Sequence, residues 1–530
     1  MRIRNFARRL LLGLIGGSIY GRLMLFVGLL VAAPLAALAF YPEERSCMAA
    51  FLIPAAFAIV AGAAVCVVAP RREAAEFEWQ SPLQKGSLPV LFAWCFAFLM
   101  GAAPFVLSGL LTPALALFES VSGWTATGFT VVDVEALPRV FLFHRSFMQF
   151  CGGLGFIIMF ATLVQGKQAV NLYNAEGHQD RIMPKLRRTA RVIFLLYSGF
   201  LAAGVALYRA FGMGAFDAVC HAMSALSTAG FSTRADGIAG YGSAAIEGVT
   251  IALMLAGSTN FAILLLLVKG KFRQASRISE LRFMAALALG FTLLCALSLA
   301  LAAHGAGGAA DGAGGAAQGA GGADAGGIGI IASLRAAFFG VVSTFSTTGY
   351  ATMDYTRWPP FAMGLLMLLM LVGGGMGSTA GGMKLARACL LIKITHENIR
   401  KRISPACRLS APHYHRVQGK TPIDDALAKD TVGFIACYIG VLIAGTLLLA
   451  LAADCTLFEA MFEFSSAFGT VGITNGLTHA NASTATLAIE MIGMILGRLE
   501  IFIVFVGVYS SARTLKRRLA KITEKLRSQR

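Results

Sequence analysis

The chain alternates long apolar runs with short polar ones. Runs near 23–40, 48–69, 88–111, 146–165, 190–210, 244–268, 283–303, 361–390, 431–452 and 484–508 are each long enough to cross a bilayer core of about 30 Å as a helix. Four further apolar stretches, near 115–127, 215–228, 334–347 and 457–470, have about 13 residues each, which is too short to span and suits re-entrant half-helices. Each half-helix falls between two spans on one side of the membrane. The pattern predicts an all-α polytopic membrane protein with two N-terminal transmembrane helices. Four pseudo-repeated units of helix, re-entrant pore helix and helix then surround one pore. The expected divisions are 1–87 for the N-terminal pair and its loop, then pore repeats at 88–189, 190–281, 282–430 and 431–512, then a basic tail at 513–530.

Two segments stand apart. Residues 10–20 follow a basic start (Arg2, Arg4, Arg8, Arg9) and read as a short interfacial helix before a retained first span. The apolar stretch is too long for a cleaved leader. Residues 305–329, almost all Ala and Gly, cannot bury enough surface to order themselves and read as a flexible outer insertion in the third repeat.

Composition agrees with the pattern. The 530 residues are 57% hydrophobic and only 14% charged, against about 25% in soluble domains, which excludes an ordinary soluble protein. The net charge of +18 speaks for loops facing anionic lipid rather than for nucleic acid. Ten spans put both termini on one side, and 37 of the 45 basic residues, with all thirteen lysines, fall on that side. The positive-inside rule makes it cytoplasmic. The ten cysteines are scattered without a Cys-x-x-Cys pair, so neither a disulfide framework nor a metal site is read from them.

Each half-helix ends in a small, hydroxyl-rich turn with one glycine. The four are Thr125-Ala126-Thr127-Gly128, Ser227-Thr228-Ala229-Gly230, Ser346-Thr347-Thr348-Gly349 and Gly469-Thr470-Val471-Gly472. One such turn means little alone; four at the same place in four units are an internal repeat. Gly152, Gly257, Gly374 and Gly497 follow the turn glycines by 24, 27, 25 and 25 residues, which predicts a glycine at similar depth in every second span. A cation filter needs inward backbone carbonyls to replace hydration water, and glycine adopts the required conformations without steric cost. A half-helix C-terminus pointed at the axis adds partial negative charge. Glu119, Asp217, Glu459 and Glu463 lie at or near the outer ends of three half-helices. They either attract cations or cap and brace the turns.

Two features bear on gating. Gly373, Gly374, Gly375, Gly377, Ser378, Thr379, Ala380, Gly381 and Gly382 interrupt the third repeat's second span. Such a break lines a cavity as a mobile plug or makes a structural kink. Arg498 lies within an apolar run, so it faces the bundle interior, as an electrostatic barrier below the filter or in a structural ion pair. Glu500 is off the Arg498 face and is expected to pair with another helix.

These turns, the Gly-Ser-Thr-Ala-Gly-Gly segment before Lys384 and the run Gly-Arg-Leu-Glu-Ile-Phe at 497–502 resemble the Trk/Ktr/HKT superfamily of potassium uptake proteins. The extra N-terminal pair of spans resembles its bacterial TrkH branch. That resemblance implies a multi-pass protein of the bacterial inner membrane that takes up potassium, binding the ion in the filter without further cofactor. It implies a homodimer and a cytoplasmic nucleotide-binding regulatory subunit of the TrkA type. The basic loops at 166–191 and 384–430 and the tail from Arg513 are then docking surfaces or simple topology determinants beside anionic lipid. By residue match, Gly128, Gly230, Gly349 and Gly472 are filter glycines, 373–382 the gating loop and Arg498 the charged barrier. Sodium-selective relatives carry serine at the first filter position, so Gly128 favours potassium.

Two alternatives have other chemistry. One is a related sodium or ammonium transporter. The other is an intramembrane enzyme using Ser378 and His221, but a nucleophile needs its base within hydrogen-bond reach, and these two are expected in opposite halves of the membrane.

Overall fold

The computed structural model describes residues 18–68, 82–155, 186–307, 330–403 and 412–513. Most of the expected interfacial helix, most of the Ala/Gly insertion, parts of each basic loop and the tail after Arg513 lie outside them.

Two helices, α1 (Ile19–Ala32, prolonged as a 3-10 helix through Ala39) and α2 (Met48–Val68), pack along one another ahead of the first unit. The first unit consists of α3 (Pro82–Leu107), the half-helix α4 (Pro113–Trp124) and α5 (Arg139–Leu154). The second has α6 (Leu186–Ala210), the half-helix α7 (Ala215–Leu226), then α8 (Ala244–Ser258) and α9 (Phe261–Val268). In the third, α10 (Ser279–Gly307) and the half-helix α11 (Ile330–Phe345) precede α12 (Pro360–Val372) and α13 (Leu385–Ile403). The fourth has α14 (Asp425–Ala453), the half-helix α15 (Leu457–Gly469), α16 (Thr484–Arg498) and α17 (Ile501–Arg513).

Polarity is inverted relative to a soluble domain. Leu289, Leu293, Leu297 and Leu301 on α10 and Ile439, Ile443, Leu447 and Leu451 on α14 recur every fourth residue and are exposed, as lipid-facing stripes must be. The half-helix ends instead bury hydroxyls: Ser122, Thr125, Ser224, Ser227, Ser343, Ser346 and Ser466 are all fully buried. Burial of so many polar groups calls for hydrogen-bond partners, which these hydroxyls have except Ser466, whose Oγ has none among the described residues.

The second helix of each unit departs from a straight span. Helix α5 stops at Leu154 and Gly155 takes φ 79°. The expected span 244–268 bends by 119° between α8 and α9, and the expected span 484–508 bends by 105° between α16 and α17. The causes are local. Asn260 caps α9 by accepting from the Ala262 N–H at 2.8 Å, and Glu500 sits at φ 60°. In the third unit Gly373 takes φ 66° and helix resumes only at Leu385. Three of the four regularly spaced glycines share a packing partner, and the third unit's differs. Gly374 lies past the helix end, where a Cβ would meet Ala380, whereas Gly152, Gly257 and Gly497 would meet the carbonyls of Trp124, Leu226 and Phe468 at their half-helix ends.

The expected basic loop at 384–430 is partly regular. After α13, whose last turn carries Arg400, Lys401 and Arg402, an antiparallel hairpin pairs β1 (His413–Arg416) with β2 (Gly419–Pro422), His413 opposite Pro422. It is the sole sheet among the described residues of an otherwise helical chain.

Candidate functional site

All four half-helices end the same way. The N–H of Ala126, Thr228, Thr347 and Thr470 bonds the carbonyl three residues back, at Gly123, Ala225, Thr344 and Ala467. The next N–H, of Thr127, Ala229, Thr348 and Val471, bonds the carbonyl five back, at Ser122, Ser224, Ser343 and Ser466. This is the Schellman pair that closes a helix C-terminus through a left-handed residue. That residue is ordinarily glycine, yet here Ala126, Thr228, Thr347 and Thr470 take φ of 58°, 53°, 58° and 52°. The turn glycines follow two residues later with φ of 100°, 77°, 82° and 83°. Left-handed positions thus alternate with an ordinary one through every turn, which swings successive carbonyls away from their helical directions.

The turns meet in a closed ring. A Cβ on Gly128 would lie 2.1 Å from the Ala229 oxygen, on Gly230 2.2 Å from Thr348, on Gly349 2.0 Å from Val471 and on Gly472 2.2 Å from Thr127. The first turn therefore abuts the second, the second the third, the third the fourth and the fourth the first. No side chain fits at these glycines, because each faces the carbonyl preceding its neighbour's glycine. The site residues read from the four turns are thus brought together.

Hydroxyls brace the ring. Thr125 and Thr127 share a hydrogen bond of 2.8 Å, as do Ser346 and Thr348 in the third turn. Ser227 donates to the Ser224 carbonyl at 3.0 Å. The serine six residues before every turn glycine escaped the sequence reading, although its fixed offset is visible in the chain. Ser122 accepts from the Gly128 N–H and donates to the Phe129 carbonyl, and Ser343 donates to the Tyr350 carbonyl.

A second regular offset explains the carboxylates. In three units the residue nine before the glycine bonds the hydroxyl two after it: Glu119 with Thr130 (3.1 Å), His221 with Ser232 (3.0 Å) and Glu463 with Thr474 (2.6 Å). The third unit has Gly340 and Ala351 there, and Trp358 packs against Gly340. Glu119 is also ion-paired with Arg145 at 2.6 Å, both buried. Asp217 accepts from Thr233, and Glu459 forms a capping box with Thr456. Glu119, Asp217 and Glu463 thus brace the loop after their turn, and Glu459 caps its own half-helix.

Beneath the ring lies the irregular segment from Gly373 to Lys384. Gly381 donates to the Thr347 hydroxyl at 2.9 Å, and Thr379 and Thr228 share a hydrogen bond of 3.1 Å. A Cβ on Gly381 would lie 2.0 Å from the Thr470 hydroxyl. The segment thus touches the left-handed residue of three turns. Below, Thr379 bonds the Gly257 carbonyl, Gly375 donates to the Ser258 carbonyl, and Met376 donates to Glu280 at 2.7 Å. Lys384, at φ 80°, donates to the Ala380 carbonyl. Arg498 donates to the Thr379 carbonyl and, at 2.5 and 2.6 Å, to the Gly152 and Gly153 carbonyls. It therefore clasps the loop to the end of α5. Glu500 pairs with Arg387 of α13 at 3.0 Å, on another helix as expected. Ser378 donates to the Gly375 carbonyl while His221 is held by the Asp217 carbonyl and Ser232, so the serine and histidine occupy separate networks.

The architecture defines a multi-pass membrane protein in which re-entrant helices close one carbonyl-rich ring above an intramembrane loop. The chain belongs to the TrkH family of cation transport proteins, whose pattern it matches over residues 108–512. It is 28% identical over 473 residues to the Trk system potassium uptake protein TrkH of Halomonas elongata, covering 85% of this chain and 90% of that protein. It is 30% identical over 408 residues to the Trk system potassium uptake protein TrkG of Escherichia coli, covering 74% and 77%. In fold it is similar to the crystal structure of the potassium transporter TrkH from Vibrio parahaemolyticus, with a TM-score of 0.77 and 24% identity, covering 93% of this chain and 97% of that one.

Proposed function

We propose that this protein takes up potassium across the bacterial inner membrane, and the observation that carries the reading is the closed ring of four glycine turns. Potassium sheds its water against carbonyls of Thr125 to Gly128, Ser227 to Gly230, Ser346 to Gly349 and Gly469 to Gly472, at the C-terminal, partially negative ends of four half-helices. The divisions at 88–189, 190–281, 282–430 and 431–512 are the four pore repeats. The 373–382 loop is the gate, held shut by Arg498, whose charge also repels a cation leaving the ring. Relatives named for the same transport system support the choice of ion.

Both termini are cytoplasmic, where the basic residues concentrate. The protein works as a homodimer with a TrkA-type nucleotide-binding subunit that docks on the basic segments. No catalytic step belongs to the reading. Bacteria lacking their potassium uptake systems should grow on low potassium when supplied with this chain. Growth restored on limiting ammonium, or sodium flux that potassium does not compete for, would replace the assigned ion.

A further inference from the structure

The ring is closed but its four oxygens are not equivalent. Gln149 of α5, fully buried, donates from Nε2 to the Ala229 carbonyl at 2.8 Å. Its Oε1 accepts from the Ser224 hydroxyl and, at 3.2 Å, from the Phe231 N–H. One amide of the first unit thus ties three points of the second turn: the serine that closes its half-helix, a ring oxygen and the residue after the glycine. Among the described residues, no hydrogen bond reaches the corresponding oxygens of Thr127, Thr348 and Val471. The place of Gln149, three residues before the glycine packed on the half-helix end, is filled by Met254 in the second unit and Met494 in the fourth. A thioether cannot donate.

We infer that Gln149 is a positioning and specificity-determining residue: it fixes the Ala229 oxygen and makes the ring three free carbonyls plus one tethered carbonyl. This rests on the reading of the ring as the ion filter. A carbonyl held by an amide donor cannot swing inward to follow a smaller ion, and part of its negative charge is already engaged. The tether therefore opposes contraction around sodium. The site asks for one donor and two acceptor contacts on a single side chain, and the Gln149 amide supplies them from its two ends.

The test is tracer flux of potassium, rubidium and sodium into vesicles containing purified full-length protein. Gln149→Met installs the residue of the second and fourth units, Gln149→Leu fills a similar space with neither donor nor acceptor, and Gly349→Ala disturbs the ring elsewhere. Both Gln149 variants should lower the potassium-to-sodium ratio by about fivefold, the effect of one ordinary hydrogen bond on an equilibrium. A purely structural role would change protein yield or total flux and leave the ratio alone. If the ratio is unchanged in whichever Gln149 variant elutes as wild type does, while Gly349→Ala shifts it, the inference is overturned and the filter reading survives. If Gly349→Ala also leaves flux and ratio unchanged, both fall.

Discussion

The Gly381 N–H donates to the Thr347 hydroxyl over 2.9 Å, so the intramembrane loop is bonded directly to the third turn of the ring. Thr347→Val keeps the shape and removes the acceptor. Releasing a net hydrogen bond of about 1 kcal/mol should raise potassium flux about fivefold in reconstituted vesicles. Flux equal to wild type at equal protein amount would detach that bond from gating.

Arg498 makes the same kind of link with more at stake, since its guanidinium bonds carbonyls of both the loop and α5. Hydrogen bonds to a charged group contribute about 1.5–3 kcal/mol. Arg498→Ala should therefore raise flux about tenfold or more, and Arg498→Lys, a point charge without the planar fork, should fall between. Unchanged flux in Arg498→Ala would remove it from the gate.

Gly128 tests the ring from the first turn. A serine there must place its Cβ where the Ala229 oxygen now stands 2.1 Å away, and its backbone must hold φ 100°, a region L side chains seldom occupy. Gly128→Ser should weaken potassium over sodium discrimination, read as the permeability ratio in vesicles. An unaltered ratio would contradict the assignment of that turn.

The Glu119–Arg145 pair belongs to the scaffold. Removing one partner leaves a buried charge uncompensated, at a cost of about 3–5 kcal/mol. Glu119→Gln should lower the thermal unfolding midpoint of the detergent-purified protein, and Glu119→Gln combined with Arg145→Met, which removes the stranded charge but keeps an acceptor for the Val131 N–H, should recover much of the loss. A single variant as stable as wild type would show that the pair does not hold the first turn.

Much of this arrangement was legible in the chain. Half-helices too short to span and a glycine turn after each announce the ring, because both are local and repeat four times. The bends at Thr259 and Leu499 were not legible: two or three residues hardly change hydropathy summed over a span. Gly374 keeps the sequence spacing of Gly152, Gly257 and Gly497 but not their packing against a half-helix end, since α12 has already ended at Val372. The serines at 122, 224, 343 and 466 were visible by offset, whereas the bond from Gln149 to Ala229 joins two units and exists only in the folded chain.

The central claim is that four turns make one selective ring. Its most direct test is the potassium-to-sodium flux ratio of purified protein in vesicles, compared with Gly128→Ala, Gly230→Ala, Gly349→Ala and Gly472→Ala. Each variant should lose transport or lower the ratio, because each Cβ collides with the carbonyl of the next turn. A variant that folds and keeps both wild-type flux and wild-type ratio would take its turn out of the ring and contradict the account.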